Sequence, residues 1–196
     1  MIRAILTDIE GTTCSISFVA DTLFPYARAR IRDYLAAHPD EAEGVPVETL
    51  ERWIDEDRKD PVLKRIQGRI WREGFTSGAL KGHIYPDALT ALRRWRERGL
   101  RLFVYSSGSV EAQRLLFGHC EAGDLTPLFE GFFDLSAGSK LEPDSYRGIA
   151  ETIGLPAADI LFLSDNEREI EAARAAGLHV QLIDRVRGDT FESIRH

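Results

Sequence analysis

Apolar and polar positions divide the chain into three stretches with different rhythms. The first is short. Arg3 through Thr7 carries the continuous apolar run Ala4-Ile5-Leu6 and stops at Asp8, which suits a buried parallel strand. Gly11-Thr12-Thr13 then breaks it. From about Val19 to Gly82 the pattern turns helical. Phe18, Leu23, Phe24, Tyr26, Ala27, Ile31, Tyr34 and Leu35 recur at helical spacing, and Asp40 to Gly44 reads as a loop. Leu50, Trp53, Ile54 and Asp57 outline a second helix, ended by Asp60-Pro61, and a third begins near Val62 with Ile66, Ile70 and Trp71.

The last stretch alternates. Pro86-Asp87 opens a helix with the stripe Leu89, Leu92 and Trp95, and Gly99 stops it. A strand from Leu100 to Tyr105 runs into Ser106-Ser107-Gly108-Ser109. Next come a helix from Val110 to Phe117 closed by Gly118, and a short strand near Phe132-Phe133-Asp134. A helix from about Pro143 to Ile153 is stopped by Gly154. The strand Ile160 to Leu163 ends in Ser164-Asp165, a helix runs to Ala176-Gly177, and Val180 to Ile183 is the final strand. This order predicts an α/β fold: a Rossmann-like parallel sheet with helices on both faces, plus an inserted all-helical segment. Ligands of such sheets sit beyond the C-terminal strand ends. That points to Asp8, Glu10, Ser106, Ser107 and Asp165.

Composition narrows the classes. A chain of 196 residues is one domain or one domain with an insertion, and 43% apolar with 29% charged residues excludes a disordered chain. The apolar runs are too short to cross a bilayer. Met1-Ile2-Arg3-Ala4 shows no signal-peptide pattern, so a cytoplasmic protein without a membrane partner is expected. The net charge of −7 argues against nucleic acid as a partner. A phosphorylated substrate would then need local positive charge or a metal ion. Cys14 and Cys120 have neither CxxC nor zinc spacing and read as reduced thiols. The five histidines are scattered, so a histidine-built metal site is not expected.

Asp8 and Asp165 would project carboxylates into one crevice, where they repel unless a cation or proton lies between them. Mg²⁺ prefers such oxygen ligands. Ser106 to Ser109 joins a strand end to a helix, where free amides and hydroxyls can cradle a phosphoryl group. Lys140 can neutralise a nucleophilic carboxylate and a bound phosphate together. Neither GxxxxGK[ST] nor GxGxxG is present.

Asp8-Ile9-Glu10-Gly11-Thr12, then Ser106, Lys140 and Asp165, resembles the four ordered motifs of the haloacid-dehalogenase-like phosphohydrolases. The helical stretch resembles that superfamily's inserted cap. On this resemblance residues 1–16 and 84–196 form the core and 17–83 the cap. Glu10 departs from the usual Asp. Longer strings are more specific: Asp8 to Thr13, Tyr105 to Gln113, Leu115 to His119, Ser145-Tyr146-Arg147, Gln67-Gly68, Trp71-Arg72 and Phe75-Thr76 are similar to the enolase-phosphatases, or acireductone synthases.

That resemblance implies a bifunctional enzyme of methionine salvage, cytoplasmic and monomeric, with one Mg²⁺ per subunit. Its substrate would be a small phosphorylated diketone, 2,3-diketo-5-methylthiopentyl-1-phosphate. The enzyme would enolise it and remove phosphate, giving the acireductone 1,2-dihydroxy-3-keto-5-methylthiopentene. Asp8 would be the nucleophile. Asp8, Asp165 and the Glu10 carbonyl would hold the metal, Ser106 and Ser107 the phosphoryl oxygens, and Lys140 would bind and catalyse. Glu169 would orient a metal-bound water. Glu10 would serve as general acid and base or as the enolisation base, with Lys81 or another cap residue as second candidate. Mg²⁺ or Lys140 would polarise the carbonyl. Trp71 and Phe75 could face the methylthio end, and Gly74, Gly78 and Gly82 could allow hinge motion. The alternative is a general capped phosphohydrolase acting on another small phosphate ester.

Overall fold

The computed structural model describes residues 1–194. Five strands form one sheet in the order β3-β2-β1-β4-β5: β1 Ala4–Thr7, β2 Arg101–Tyr105, β3 Gly131–Phe133, β4 Ile160–Ser164 and β5 His179–Leu182. Every pairing is parallel. Strand β1 is central because both its faces are apolar, and its residues alternate between two cores. Ile5, with Leu102, Val104, Leu161 and Leu163, packs on one side against Ala88, Leu92 and Trp95 of α5 (Pro86–Glu97) and Leu116 and Phe117 of α6 (Val110–Gly118). Ala4 and Leu6, with Phe103, Tyr105 and Phe162, pack on the other. There they meet Tyr146 and Ile149 of α7 (Pro143–Ile153) and Ile170 of α8 (Glu167–Ala175). The chain leaves β1 toward β2 and later returns to its other side with β4. Asp8 therefore sits where the winding direction reverses, the usual place for a ligand crevice.

Between β1 and α5 lie α1 (Ile16–Phe18), a π-helical turn Val19–Leu23, α2 (Phe24–Ala37), α3 (Val47–Asp55) and α4 (Pro61–Thr76). Ala27, Ile31, Leu35, Leu50, Ile54, Leu63, Ile66 and Ile70 form a separate apolar cluster among them. Several boundaries differ from the sequence pattern. Helix α3 stops at Asp55, and Asp57 adopts a left-handed conformation (φ 49°). Asp60 starts α4 instead of ending α3: its Oδ1 accepts from the Val62 and Leu63 N–H groups, and Pro61 fills the first turn, where no donor is needed. The loop expected at Asp40 contains a short 3-10 turn, Pro39–Ala42. Helix α4 ends at Thr76, so helix does not continue to Gly82. Gly118 is the last residue of α6, and His119 caps it. Asp134 leaves β3 because its carboxylate accepts from the Val110 and Ser136 N–H groups.

Candidate active site

The Asp8 N–H donates to Leu163 O at 2.9 Å, so its backbone still belongs to the sheet while its side chain enters the crevice. Thr13 Oγ1 donates to the Asp8 carbonyl at 3.1 Å, and Thr12 Oγ1 accepts the Asp165 N–H at 3.0 Å. Thr12 thus ties the loop after β1 to the end of β4, and Thr13 closes the loop on itself. Gly11 precedes them with φ +71°, and a Cβ there would lie 2.0 Å from Asp165 Oδ2. Only glycine permits that approach.

Lys140 arrives from the loop after β3. Tyr105 Oη donates to Gly138 O at 2.9 Å and Tyr146 Oη to Lys140 O at 2.7 Å, fixing the loop at both ends. The ammonium lies 2.6 Å from Asp8 Oδ1 and 2.7 Å from Glu169 Oε2. Ser164 Oγ donates to the same Glu169 oxygen at 2.9 Å. Ser106 leaves β2 with its N–H on Phe133 O, and its Oγ accepts the Gly108 N–H at 3.2 Å. Gln113, which is buried, donates to both Gly108 O and Phe133 O at 2.8 Å and so braces this turn from α6. Ser109 caps that helix.

Asp8, Glu10, Ser106, Ser107, Lys140, Asp165 and Glu169 all line one cavity of about 210 Å³, with room for a phosphoryl group and several waters. Every residue singled out at the strand ends is brought together there. Its electrostatics are lopsided, with four carboxylates facing one lysine. Burial pushes the Glu10 carboxyl above its ordinary value, with Lys59 opposing and Asp8 adding to the rise. Burial and the Asp8 charge likewise raise Asp165 and Glu169. Burial alone would lower Lys140, but Asp8 and Glu169 outweigh it and hold its pKa above the usual lysine value. Such excess of hard oxygen donors fits a divalent cation.

A second cavity adjoins the first beneath the helices. Its walls include Val19, Leu23, Phe24, Leu63, Trp71, Phe75 and Leu116, and it shares Glu10, Ser106 and Ser107 with the polar cavity. Trp71 stacks near Phe24 and donates Nε1–H to Leu23 O at 2.8 Å. Lys81 is exposed and outside the linings of both cavities. The lysines that line the chamber are Lys59, in the turn between α3 and α4, and Lys64 of α4. Sequence reasoning missed them, although Lys64, Gln67, Trp71 and Phe75 follow one face of α4 at helical spacing. Gly74 is a packing site: a Cβ there would meet Leu80 and Tyr26 at 2.7 and 2.8 Å.

Comparison with known proteins agrees with this geometry. Residues 2–177 match the family model described as hydrolase, haloacid dehalogenase-like hydrolase. Enolase-phosphatase E1 of Parvibaculum lavamentivorans is 53% identical over 94% of this chain and 86% of its own. The enzyme of the same name from Erwinia tasmaniensis is 50% identical over 100% of this chain and 93% of its own. The crystal structure of the UTR4 protein from Saccharomyces cerevisiae superposes with a TM-score of 0.82 at 35% identity, covering 94% of this chain and 90% of that one. CbbY from Rhodobacter sphaeroides shares the fold at a TM-score of 0.63 and 20% identity, over 93% and 86% of the two chains. About half of its residues match those of enolase-phosphatases along nearly their whole length, and on that ground the chain belongs to the haloacid dehalogenase-like hydrolases and, within them, to the enolase-phosphatase E1 family of phosphatases.

Proposed function

We propose that this enzyme is the Mg²⁺-dependent, bifunctional enolase-phosphatase of methionine salvage. It would convert 2,3-diketo-5-methylthiopentyl-1-phosphate to the acireductone 1,2-dihydroxy-3-keto-5-methylthiopentene and phosphate. One observation carries this: Glu10, Ser106 and Ser107 line both the carboxylate-rich cavity and the apolar chamber. A ligand with a phosphate at one end and a short apolar tail at the other suits such a pair, and its carbonyl carbons would pass Glu10. Trp71 and Phe75 offer rings to a thioether sulfur. Segment 17–83 serves as the cap over a core of 1–16 and 84–196, and its own apolar cluster supports that division. The buried free thiols of Cys14 and Cys120 support a reducing, cytoplasmic setting.

Among the described residues, no group of three His, Cys, Asp or Glu side chains is arranged to hold a metal alone. Mg²⁺ does not require one, since it keeps several waters and binds through one or two carboxylates plus substrate phosphate. Asp8, Asp165 and the Glu10 main-chain carbonyl would hold it. When bound it supplies positive charge to the phosphoryl oxygens and to the nucleophile.

The side chains divide the work. Glu10, with its raised pKa, takes the proton beside the carbonyl and so makes the enol. An Asp8 carboxylate oxygen then bonds to phosphorus as the bond from phosphorus to the substrate oxygen breaks. Glu10, protonated again from solvent after enolisation, gives that leaving oxygen a proton and later takes one from the water that hydrolyses the aspartyl phosphate. Ser106, Ser107 and the amides after them hold the phosphoryl oxygens. Lys140 pairs with Asp8 and meets the phosphate as a point charge. Glu169 orients Lys140 and water.

The test is a spectrophotometric assay on the diketo phosphate that follows enol absorbance and free phosphate together. Wild type should give both signals, EDTA should remove phosphate release, and Mg²⁺ should restore it. Asp8→Asn should cut phosphate release at least about ten-thousandfold, with the enol phosphate accumulating. Phosphate from generic esters with no enol signal would leave only a general capped phosphohydrolase.

A further inference from the structure

Three lysines stand near the two cavities, and they differ in company. Lys140 is clamped between Asp8 and Glu169 at 2.6 and 2.7 Å. Lys59, on an exposed turn, has its ammonium 2.6 Å from Asp57 Oδ1. Lys64 is half-buried on α4 and donates to a neutral group, the Ser107 carbonyl, at 2.9 Å. Asp57 and Asp134 act on it through space, and it forms no ion pair among the described residues. An ammonium has three donors, so two N–H groups remain beyond the Ser107 bond. Lys64 thus brings a positive charge to the chamber wall at Ser107, a residue that both cavities share, one residue past the Ser106 phosphate cradle; Glu10 lines the same chamber.

The chemistry of the substrate fixes what should lie there; this step rests on the function proposed above. The product has its double bond between carbons 1 and 2. The proton therefore leaves carbon 1, which carries the phosphate, and the negative charge develops on the oxygen of carbon 2. With the phosphate seated at Ser106, that oxygen is the next polar atom toward the chamber. We propose that Lys64 is a catalytic residue of enolisation, holding the enolate oxygen between the phosphate cradle and the chamber. The C1–H bond breaks and its proton passes to the Glu10 carboxylate. The electron pair becomes the C1–C2 π bond, and the carbonyl π pair moves to oxygen, where Lys64 donates a hydrogen bond. Glu10 returns the proton to that oxygen, so the step is an isomerisation that consumes no co-reactant. Burial and the Lys59 charge lower the Lys64 pKa, so this ammonium gains more than a solvated one from an arriving anion.

The test compares wild type, Lys64→Gln and Lys64→Arg under saturating Mg²⁺. Three rates are read: enol absorbance from the diketo phosphate, solvent deuterium entering carbon 1, and phosphate release from a simple alkyl phosphate. Lys64→Gln should lower enol formation and deuterium entry about a hundredfold, the usual loss for one donor to a developing oxyanion. The ratio of enolisation to simple-ester hydrolysis should drop at least about thirtyfold. Lys64→Arg should recover part of it. Enolisation within about threefold of wild type overturns the assignment. So does an equal fall in simple-ester hydrolysis, because Lys64 would then only brace the Ser107 turn. If Lys64→Gln fails to fold by circular dichroism, Lys64→Arg decides: an unchanged enolisation-to-hydrolysis ratio overturns the role, and a selective loss supports it. Wild type that hydrolyses esters but never forms enol overturns the substrate assignment itself, and Lys64 with it.

Discussion

The two adjoining cavities are built on opposite plans. At the strand ends each functional group is held more than once. Lys140 touches two carboxylates, its loop is pinned by two tyrosine hydroxyls, and Gly11 lets Asp165 approach to where no side chain could fit. Under the helices the walls are mostly apolar side chains, with Lys64 and Gln67 of α4 among them. Lys64 reaches Ser107, and Arg72 of α4 pairs with Glu111 of α6. Bond-making at phosphorus needs charges fixed before substrate arrives, because a preorganised field costs no reorganisation during reaction. Tail recognition needs only shape and dryness. The sheet can hold the first rigidly, while helices packed on their own core supply the second.

Deleting one lysine from each cavity should break this contrast if it is wrong. Lys140→Met leaves two buried carboxylates facing each other, and removing one partner of a buried pair costs about 3–5 kcal/mol. Phosphate release should fall a further hundredfold to thousandfold in the folded fraction, as for loss of a preorganised charge. Lys59→Met removes an exposed ion pair and should cost less than about 1 kcal/mol. Urea unfolding of the two variants reads the difference directly. Equal costs would mean that the two cavities are not built differently.

The same contrast explains what the sequence disclosed. Strand-end residues were legible because a parallel strand ends abruptly: a run such as Ala4-Ile5-Leu6 gives way to Asp8, and topology sends all such ends to one edge. The helices on both faces followed from the alternation of elements. The chamber was harder to read. Helical spacing puts Lys64 on one face of α4 with Trp71 and Phe75, but whether that face meets the site depends on how the helices seat on the core, and the place of Lys59 depends on the turn at Asp57. Asp60-Pro61 was misread as a stop because the pair suits a helix start equally well, and only the Asp60 side-chain bonds to Val62 and Leu63 decide. Gln113 gave no sign of its bracing role, since its partners, Gly108 and Phe133, lie 5 and 20 residues away.

A smaller effect sharpens the chamber side. Trp71 lines the chamber and keeps its indole N–H on Leu23 O. Trp71→Ala should lower kcat/KM for the proposed methylthio substrate about tenfold to hundredfold, the range that one apolar contact gives in discrimination. Hydrolysis of a short alkyl phosphate should change much less. A uniform fall on both substrates would mean that the indole organises the cap and leaves the tail unread.

The smallest expected effect tests how the rigid cavity is braced from behind. Arg185 lies after β5, with its Nη2 and Nε donating to Thr12 O at 2.6 and 3.1 Å and its Nη1 2.8 Å from Asp87 Oδ2. Thr12 in turn receives the Asp165 N–H, so the chain from Asp87 to Asp165 steadies the loop after Asp8. Burial would raise the Asp87 pKa, but the Phe191 N–H and Arg185 outweigh it and hold it below the ordinary 3.8. A depressed carboxyl binds its proton more weakly in the folded state. Its contribution is therefore complete above pH 3.8 and is lost as pH falls through the lower folded value. Asp87→Asn should lower the melting temperature by about 2–4 °C near neutrality, the shift for roughly 1 kcal/mol in a chain of this size. In an acid series the gap between variant and wild type should close below pH 3.8, as wild type loses its own charge. A gap that stays constant through that range would mean that hydrogen-bond shape, and not charge, holds Arg185 against Thr12.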